Sequence, residues 1–259
     1  MDSHGASNSS GAISRCCLCD VGLARTRNTY QKIPQSRSVA HLSTGSKALD
    51  DLLEGGLEGG AITLLFGEAG SGKTNICLQV ASLVARTGKK VIYIDTEGVS
   101  LERLKQIAGE SYEDVMKNIL FFEPHTFDEQ EKFVEKAVKL AESSLEVGVM
   151  ILDSATIHYR LTRNDEERGV RKSLSPQLAR LLAAARSKDI PVLVTSQVYT
   201  DIEKGTFEPL GGHVLLHNAK AIVRLDKVGT NTRRATVVKH RHLEEGRKTD
   251  FKITKSGVA

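Results

Sequence analysis

The stretch Gly67-Glu68-Ala69-Gly70-Ser71-Gly72-Lys73-Thr74 limits the possible folds of this chain more than any other feature. It fits the phosphate-loop pattern, in which a glycine, four free positions and Gly-Lys-Thr join a strand to a helix. The apolar run 61–66 predicts a buried strand before it, and the helical spacing of Ile76 and Val80 predicts a helix after it. A glycine-rich turn could match by chance, but here a strand and a helix stand where the motif requires them.

The residue types of this loop suit a nucleotide. A backbone that turns tightly around a phosphate leaves no room for Cβ atoms, and the first turn of the helix supplies unpaired N–H groups and a positive dipole end. Lys73 would reach the outer phosphates, and the Thr74 hydroxyl would bind Mg²⁺. The expected cofactors are ATP and Mg²⁺. The residues expected to bind the nucleotide here are Gly67, Glu68, Ala69, Gly70, Ser71, Gly72, Lys73, Thr74 and Asn75.

Length and composition indicate one large domain in the cytoplasm. The 259 residues, of which 40% are hydrophobic, are enough to bury a sizeable core. No apolar run reaches the roughly 18 residues of a membrane span. The four cysteines do not form a disulfide framework, and the cluster at 16–19 lacks the paired spacing of a metal site. Residues 1–40, small and polar at their start, are expected to be a disordered tail, and 41–259 the folded core.

The rest of the chain predicts an α/β fold. Strand-like runs alternate with helical ones and then close in a meander with short turns, which predicts a mostly parallel sheet with helices on both faces and an antiparallel C-terminal end. The predicted strands are 61–66, 90–95, 119–122, 148–154, 190–196, 219–225, 235–240 and 250–254. Besides a capped short helix at 43–53 and the helix after the phosphate loop, the sequence predicts helices at 101–108 and 128–143 and one with an apolar face from Val170 to Ala185. The apolar side of the 128–143 helix is expected to carry Phe133, Ala137, Leu140 and Ala141.

Three polar residues follow predicted strands, at the edge where open α/β sheets bind their ligands. Asp153 is expected to bind Mg²⁺ through water. Glu97 could hold the water that attacks the γ-phosphate, and Gln197 could sense that phosphate. The alternatives are a helix-capping Asp153, a surface Glu97 and a Gln197 that belongs only to a loop. The expected catalytic residues are Glu97, Lys73 and Gln197.

The C-terminal part of the chain is basic. From Lys220 onward it has 11 Lys and Arg against 4 Asp and Glu, a net charge of +7 in a chain whose total is +4. Such a region could face phosphate groups. The alternative is a solvated strand edge whose charges prevent edge-to-edge pairing.

The order of these motifs resembles that of the RecA/RadA recombinase family, over residues 42–258. Within the family, the chain is most similar to short archaeal paralogues that lack the N-terminal helical DNA-binding domain. Lys239-His240-Arg241 and Phe251-Lys252-Ile253-Thr254 carry that narrower likeness. The stretches that match the family are Leu42–Asp50, the phosphate loop, Ile94–Gly98, Leu152–Ser154, Thr195–Val198 and Pro209–Gly212.

The resemblance implies a RecA-like P-loop NTPase core that acts in homologous recombination and DNA repair. It implies weak, DNA-dependent ATP hydrolysis and binding of DNA, preferentially single-stranded, without sequence readout. The implied partners are a RadA-type main recombinase and a Holliday-junction resolvase. Arg103 matches a position that packs against the adenine in relatives.

The resemblance also assigns two DNA-contacting loops, at 159–171 and 199–217. Cationic side chains on loops suit contact with phosphates of any sequence. The alternative is a solvated loop in which neighbouring acids offset the arginines. The candidate DNA-binding residues are Arg160, Arg163, Arg168, Arg171, Lys204 and His213.

Lys239 and Arg241 are two residues apart, so on a strand they would point to the same face. In RecA-like assemblies, cations in this part of one subunit can reach the neighbour's nucleotide, which makes both residues candidates for action in trans. Interior salt bridges or a solvent-facing position are equally open. Full recombinases of the family carry a Phe-x-x-Ala oligomerisation segment before the core, whereas residues 1–42 contain no phenylalanine. We therefore expect no long filaments, although a homo-oligomer stays open.

Two other functions share this core. One is a signalling ATPase or autokinase of the KaiC type, which has a similar Lys-x-Arg run; paired adjacent glutamates would favour it, whereas here Glu97 stands next to Thr96. The other is a non-hydrolysing adaptor, in which ATP stabilises a docking surface for partners.

Overall fold

The computed structural model describes residues 40–143, 146–158, 167–201 and 206–259. The strands are β1 (His41–Leu42), β2 (Leu57–Glu58), β3 (Ile62–Gly67), β4 (Lys90–Asp95), β5 (Ile119–Phe122), β6 (Val147–Asp153), β7 (Val192–Ser196), β8 (Val198–Asp201), β9 (Thr206–Pro209), β10 (Ala221–Lys227), β11 (Thr232–Lys239), β12 (Lys248–Thr254) and β13 (Gly257–Val258). The helices are α1 (Lys47–Leu52), α2 (Lys73–Arg86), α3 (Leu101–Ala108), α4 (Tyr112–Asn118), α5 (Phe127–Glu142), α6 (Glu167–Lys188) and α7 (Gly212–Asn218), with a 3₁₀ turn at Gly109–Ser111.

Nine strands form one sheet in the order β13-β12-β11-β10-β3-β7-β6-β4-β5. From β10 to β5 all neighbours are parallel, whereas β11, β12 and β13 each pair antiparallel with the preceding strand. The predicted α/β class, with its antiparallel C-terminal meander, is confirmed. Crossover helices make the parallel pairs possible, and short turns suffice for the antiparallel ones.

Helices cover both faces of the sheet, so the central strands are apolar along their whole length. Successive residues of β3 alternate between two cores: Leu65 packs with the side of α2, α3 and α4, and Leu64 and Phe66 pack with the side of α5, α6 and α7. All six residues of β3 are buried. The phosphate loop therefore starts from a strand that is fixed on both faces.

Three local features differ from the sequence expectation. Helix α4 was not predicted, because Val115 is its one buried residue and leaves little periodicity to read. The segment expected as a second DNA loop contains the hairpin β8–β9 and then α7. In α5 the predicted apolar residues Ala137 and Ala141 are buried, whereas Phe133 and Leu140 lie at the margin of a buried face that also includes Gln130 and Val134.

The two ends of the core meet on the phosphate-loop helix. The Gln79 side chain on α2 donates to the carbonyls of Thr44 and Val258, at 3.2 and 3.0 Å, and accepts from the Val258 N–H at 2.6 Å. The tail predicted at 1–40, with its three cysteines, lies outside the described residues except for Ala40, and the boundary at 41 stays a prediction. Within the part that the structure describes, no helix combines the length and apolar character needed to cross a membrane.

Candidate nucleotide site

The phosphate loop has the backbone that its glycines allow. Gly70 and Gly72 have φ angles of +74° and +103°, a region that side-chain-bearing residues rarely adopt. A Cβ on Gly67 would overlap the carbonyl oxygen of Leu225 on β10. Helix α2 begins directly after Gly72. The Ser71 hydroxyl is buried in this loop and has no hydrogen-bond partner among the described residues. These features fit a cradle for phosphate groups.

Lys73 lies folded into the loop. Its Nζ donates to the carbonyl oxygens of Gly67 at 2.8 Å and Glu68 at 3.0 Å, and the residue is 6% exposed. Burial lowers the pKa of Lys73, and the charges of Glu97 and Asp153 oppose that change. The ammonium group is thus held by neutral carbonyls, which an anionic phosphate could replace.

Asp153 ends β6 beneath the loop and is 1% exposed. Its two carboxylate oxygens accept hydrogen bonds from the Thr195 hydroxyl at 2.5 Å and the Tyr93 hydroxyl at 2.8 Å. Burial raises the pKa of Asp153, and hydrogen bonds from Thr195, Tyr93 and Thr74 oppose the rise. The predicted Mg²⁺ residues, Thr74 and Asp153, are therefore brought together, as an ion held through water would require.

Two supporting hydroxyls here were not recognised from the sequence. Tyr93 and Thr195 are buried residues of the apolar strands β4 and β7. Each is a polar residue in a strand whose buried positions are mostly apolar, a signal that could have identified them. Because β6 lies between β7 and β4, both hydroxyls can reach Asp153 from its two sides.

Glu97 and Gln197 meet above this edge of the sheet. The Gln197 Nε2 donates to the Glu97 Oε1 at 3.2 Å, across 100 positions of sequence. The turn that carries Glu97 is built by Asp95, whose carboxylate accepts from the backbone N–H groups of Glu97, Gly98 and Val99. Asp95 is thus a positioning residue that the sequence reasoning did not single out.

Arg103 lies beside the start of α2 but is engaged by protein groups. Its guanidinium donates to the Asn75 side chain at 2.6 Å and to the carbonyls of Thr254 and Lys255 at 2.8 and 2.9 Å. Burial lowers the pKa of Arg103. The arginine therefore ties the β12–β13 turn to the nucleotide helix, and its predicted contact with adenine stays a prediction.

The structure describes only part of the candidate DNA-binding set. Arg160, Arg163 and Lys204 lie outside the described residues. The backbone of Arg168 and Arg171 belongs to α6, and His213 is exposed near the start of α7. The DNA-binding role of all six stays a prediction.

Lys239 and Arg241 do not share a face of a strand, because β11 ends at Lys239. The Lys239 Nζ donates to the carbonyls of Leu216 and Ala219 at the end of α7, at 2.8 and 3.0 Å. Arg241 instead faces Glu58, with 3.7 Å between their nearest charged atoms. That part of the sequence argument is wrong, since it assumed a strand through residue 241.

These two cations lie far from the nucleotide loop of their own chain. Lys239 pairs with Ile222, whereas the loop end of β3 pairs with Leu225 three residues further along β10. Glu58, the partner of Arg241, precedes β3, and the five residue steps of β3 from Ile62 to Gly67 span about 17 Å. A contact with a nucleotide would therefore have to involve another copy of the chain.

Comparisons with known proteins agree on one family. The sequence matches the Rad51 family over residues 35–259. It is 48% identical to the DNA repair and recombination protein RadB of Methanococcoides burtonii over 219 residues, 84% of this chain and 96% of that protein. It is 40% identical to RadB of Thermoplasma acidophilum over 228 residues, 88% of this chain and 98% of that protein.

A solved structure supports the same likeness. The crystal structure of a RadB recombinase superposes with a TM-score of 0.74 at 38% sequence identity, and covers 84% of this chain and 98% of that one. The fold and the family resemblance predicted from the sequence are both confirmed.

Proposed function

The chain belongs to the Rad51 family, and from this premise we propose that it is an ATP-binding protein of homologous recombination and DNA repair that assists a main recombinase. The family match favours this role over a signalling ATPase. We further propose weak ATP hydrolysis that DNA stimulates, in the cytoplasm.

One observation carries the proposal: groups from four separate strand ends converge on the phosphate loop. Lys73 and Thr74 follow β3, Glu97 follows β4, Asp153 ends β6 and Gln197 follows β7. Among them, Thr74 lies close enough to Asp153 to oppose the rise of its pKa, and Gln197 donates a hydrogen bond to Glu97. A glycine-rich turn without a ligand would not require this convergence.

The residues divide the chemistry of phosphoryl transfer among them. Thr74 and, through water, Asp153 would hold Mg²⁺, which would supply positive charge to the transferred phosphoryl group. Lys73 exchanges the loop carbonyls for the outer phosphates. Glu97 orients the attacking water and takes up its proton. Gln197 leaves Glu97 when it senses the γ-phosphate.

The last step would connect the nucleotide to DNA. The backbone carbonyl of Gln197 accepts from the N–H of Leu210 at 2.8 Å, so this residue lies at the base of the β8–β9 hairpin. Movement of the Gln197 backbone would therefore move the hairpin, which belongs to the proposed second DNA loop. A RadA-type recombinase and a resolvase are the proposed partners, and Lys239 and Arg241 are proposed to act on the nucleotide of a neighbouring copy.

The test is nucleotide binding and turnover in the wild type and in Lys73→Ala, with Lys248→Ala as the control. Lys248 is exposed on β12 and lies opposite Thr236 of β11. We expect Lys73→Ala to lose ATP binding and the control to retain it. Retained binding in Lys73→Ala would falsify the site assignment.

ATP turnover measured with and without single-stranded DNA tests the proposed DNA-stimulated hydrolysis and the role of Glu97. We expect hydrolysis to rise with DNA and to fall in Glu97→Gln while ATP binding persists. Turnover that ignores DNA would support a signalling ATPase, and turnover unchanged in Glu97→Gln would support an adaptor. Light scattering on the same samples reports the oligomeric state.

A further inference from the structure

A cation outside the phosphate-loop motif stands over this loop. Strand β10 runs parallel to β3, with Leu225 opposite Gly67, so the two remaining residues of β10 extend past the start of the loop. The last of them, Lys227, lies opposite Arg233 on β11. The tip of the β10–β11 hairpin is thus carried to the same edge of the sheet as the loop.

Arg233 fastens this hairpin to the loop. Its Nε donates to the carbonyl of Gly70 at 2.9 Å, and its Nη1 donates to the carbonyls of Gly229 and Thr232 within the hairpin turn, at 3.1 and 3.0 Å. One guanidinium therefore holds the hairpin tip and the phosphate loop together, and it fixes where Lys227 stands.

Lys227 occupies the space that the missing side chain of Gly70 leaves open. The position that a Cβ on Gly70 would take is 3.3 Å from the Lys227 Nζ and 3.2 Å from its Cε. A Cβ at this position would require the end of the Lys227 side chain to shift slightly. The end of the Lys227 side chain is therefore in close contact with Gly70 of the phosphate loop.

The charge of Lys227 is not balanced by the protein that surrounds it. Within the described ranges, its ammonium has neither an ion pair nor a hydrogen bond, and the adjacent Asp226 pairs with Arg224 at 2.9 Å. The Lys73 ammonium is at the same loop, where it donates to the carbonyls of Gly67 and Glu68. Two ammonium groups therefore repel each other at one loop, a repulsion that an anion between them would relieve.

We propose that Lys227 is a second phosphate-binding cation of the nucleotide site, acting in the same chain, and that Arg233 is the residue that positions it. The inference rests on the proposed ATP site. It assigns the anion to the phosphates of the nucleotide, because the ammonium lies over the loop that would hold them. Lys227 contacts the phosphate groups, whereas Arg233 acts through the loop carbonyl and the hairpin.

The experiment measures the affinity for MgATP, MgADP and AMP by calorimetry in three variants and the wild type. Lys227→Gln removes the charge, Lys227→Arg retains it, and Lys248→Gln removes an equal charge from an exposed residue further from the loop. Since Lys227 is exposed, we expect all variants to melt close to the wild type.

We expect Lys227→Gln to bind ATP about tenfold more weakly, the loss of one charge-assisted hydrogen bond, and AMP with little change. Lys227→Arg should stay within about threefold of the wild type, and Lys248→Gln should equal it. Unchanged ATP affinity in Lys227→Gln while Lys73→Ala loses binding overturns this inference alone. An equal loss of affinity in Lys248→Gln overturns it as well. So does a Lys227→Gln protein that binds ATP normally but no longer self-associates, because Lys227 would then pair with an acidic residue of a second copy of the chain. If the wild type does not bind ATP, both the proposed ATP site and the proposed role of Lys227 are wrong.

Discussion

Each end of the parallel strands has a buried carboxylate, and the two carboxylates have different surroundings. Asp153, at the nucleotide end, is 1% exposed and accepts hydrogen bonds from uncharged hydroxyls. Glu58, before the opposite end of β3, is 2% exposed and faces nitrogen atoms of His240, Arg241 and His242 at 3.7, 3.7 and 3.9 Å. These distances are too long for hydrogen bonds, and the Glu58 Oε2 has no hydrogen-bond partner among the described residues.

The difference shows how one fold separates binding from stability. Hydroxyl groups fix the orientation of Asp153 without neutralising it, so its charge remains available for a metal ion. The Arg241 guanidinium faces Glu58 together with two imidazoles, so part of the Glu58 charge is balanced within the protein. We therefore expect changes at Asp153 to affect nucleotide chemistry and changes at Glu58 to affect the free energy of unfolding.

The largest effect is expected for Asp153→Asn, which keeps the shape of the side chain and removes its charge. ATP hydrolysis should fall about 100-fold or more, because the Mg²⁺ ion loses its anionic partner. Asp250→Asn is the control, since Asp250 is exposed and, among the described residues, forms its ion pair with Arg234. ATP hydrolysis measured over a range of Mg²⁺ concentrations tests this prediction. Near wild-type rates in Asp153→Asn would contradict the proposed difference in role between Asp153 and Glu58.

The next effect is expected at the other carboxylate. Glu58→Gln should lower the free energy of unfolding by about 1–3 kcal/mol, because His240 and Arg241 lose the charge they face. ATP affinity should stay at the wild-type value. Urea unfolding beside a binding titration tests this, with the exposed Glu54→Gln as control. Weakened ATP binding in Glu58→Gln, with Glu54→Gln normal, would show that the two ends are coupled.

A smaller effect is expected for Tyr93→Phe, which removes one of the hydroxyls on Asp153. The free energy of unfolding should fall by about 1 kcal/mol, and half-maximal activity should need several-fold more Mg²⁺, since Asp153 is less well oriented. Tyr112→Phe serves as control, because its hydroxyl has no hydrogen-bond partner among the described residues. A Tyr93→Phe protein with an unchanged Mg²⁺ requirement would limit this hydroxyl to a structural role.

The smallest effect is a pH dependence from His240. Burial lowers the pKa of His240; the charges of Glu58 and Glu54 oppose this, and those of His242 and Arg241 add to it. The Nδ1 of His240 accepts from the His242 backbone N–H, which places the proton of the neutral ring on Nε2 toward Glu58.

The direction of this pH dependence follows from the lowered pKa of His240. The unfolded chain binds the His240 proton more readily, so stability falls as the pH drops below about 6.5 toward the lower pKa of the folded protein. The slope should stay under about 1.4 kcal/mol per pH unit, the limit for one proton. Unfolding at pH 7.5 and 5.5 checks it in the wild type, His240→Gln and the exposed His242→Gln. A slope that persists in His240→Gln would assign the effect to another group.

The parts predicted well from the sequence are those with a local signal. The bounds of β4, β5 and α3 agree with the predicted 90–95, 119–122 and 101–108, because each has apolar spacing and a clear start and end. The phosphate loop likewise has its strand and helix in place. Weak local signals failed, as in α4 with its single buried residue, and in α5, where Gln130 is fully buried and is hydrogen-bonded to Gln177.

The amino-acid sequence by itself determined the class of fold, the phosphate loop and the acids that follow the strands, since each depends on residues within one or two turns of chain. Only the tertiary structure decided which strands are neighbours, and with that the meeting of Tyr93 and Thr195 on Asp153. It also separated Lys239 from Arg241 and brought Lys227 over Gly70. The reason is physical: periodicity records which face of an element is buried, whereas the order of strands in a sheet depends on packing between segments far apart in the chain.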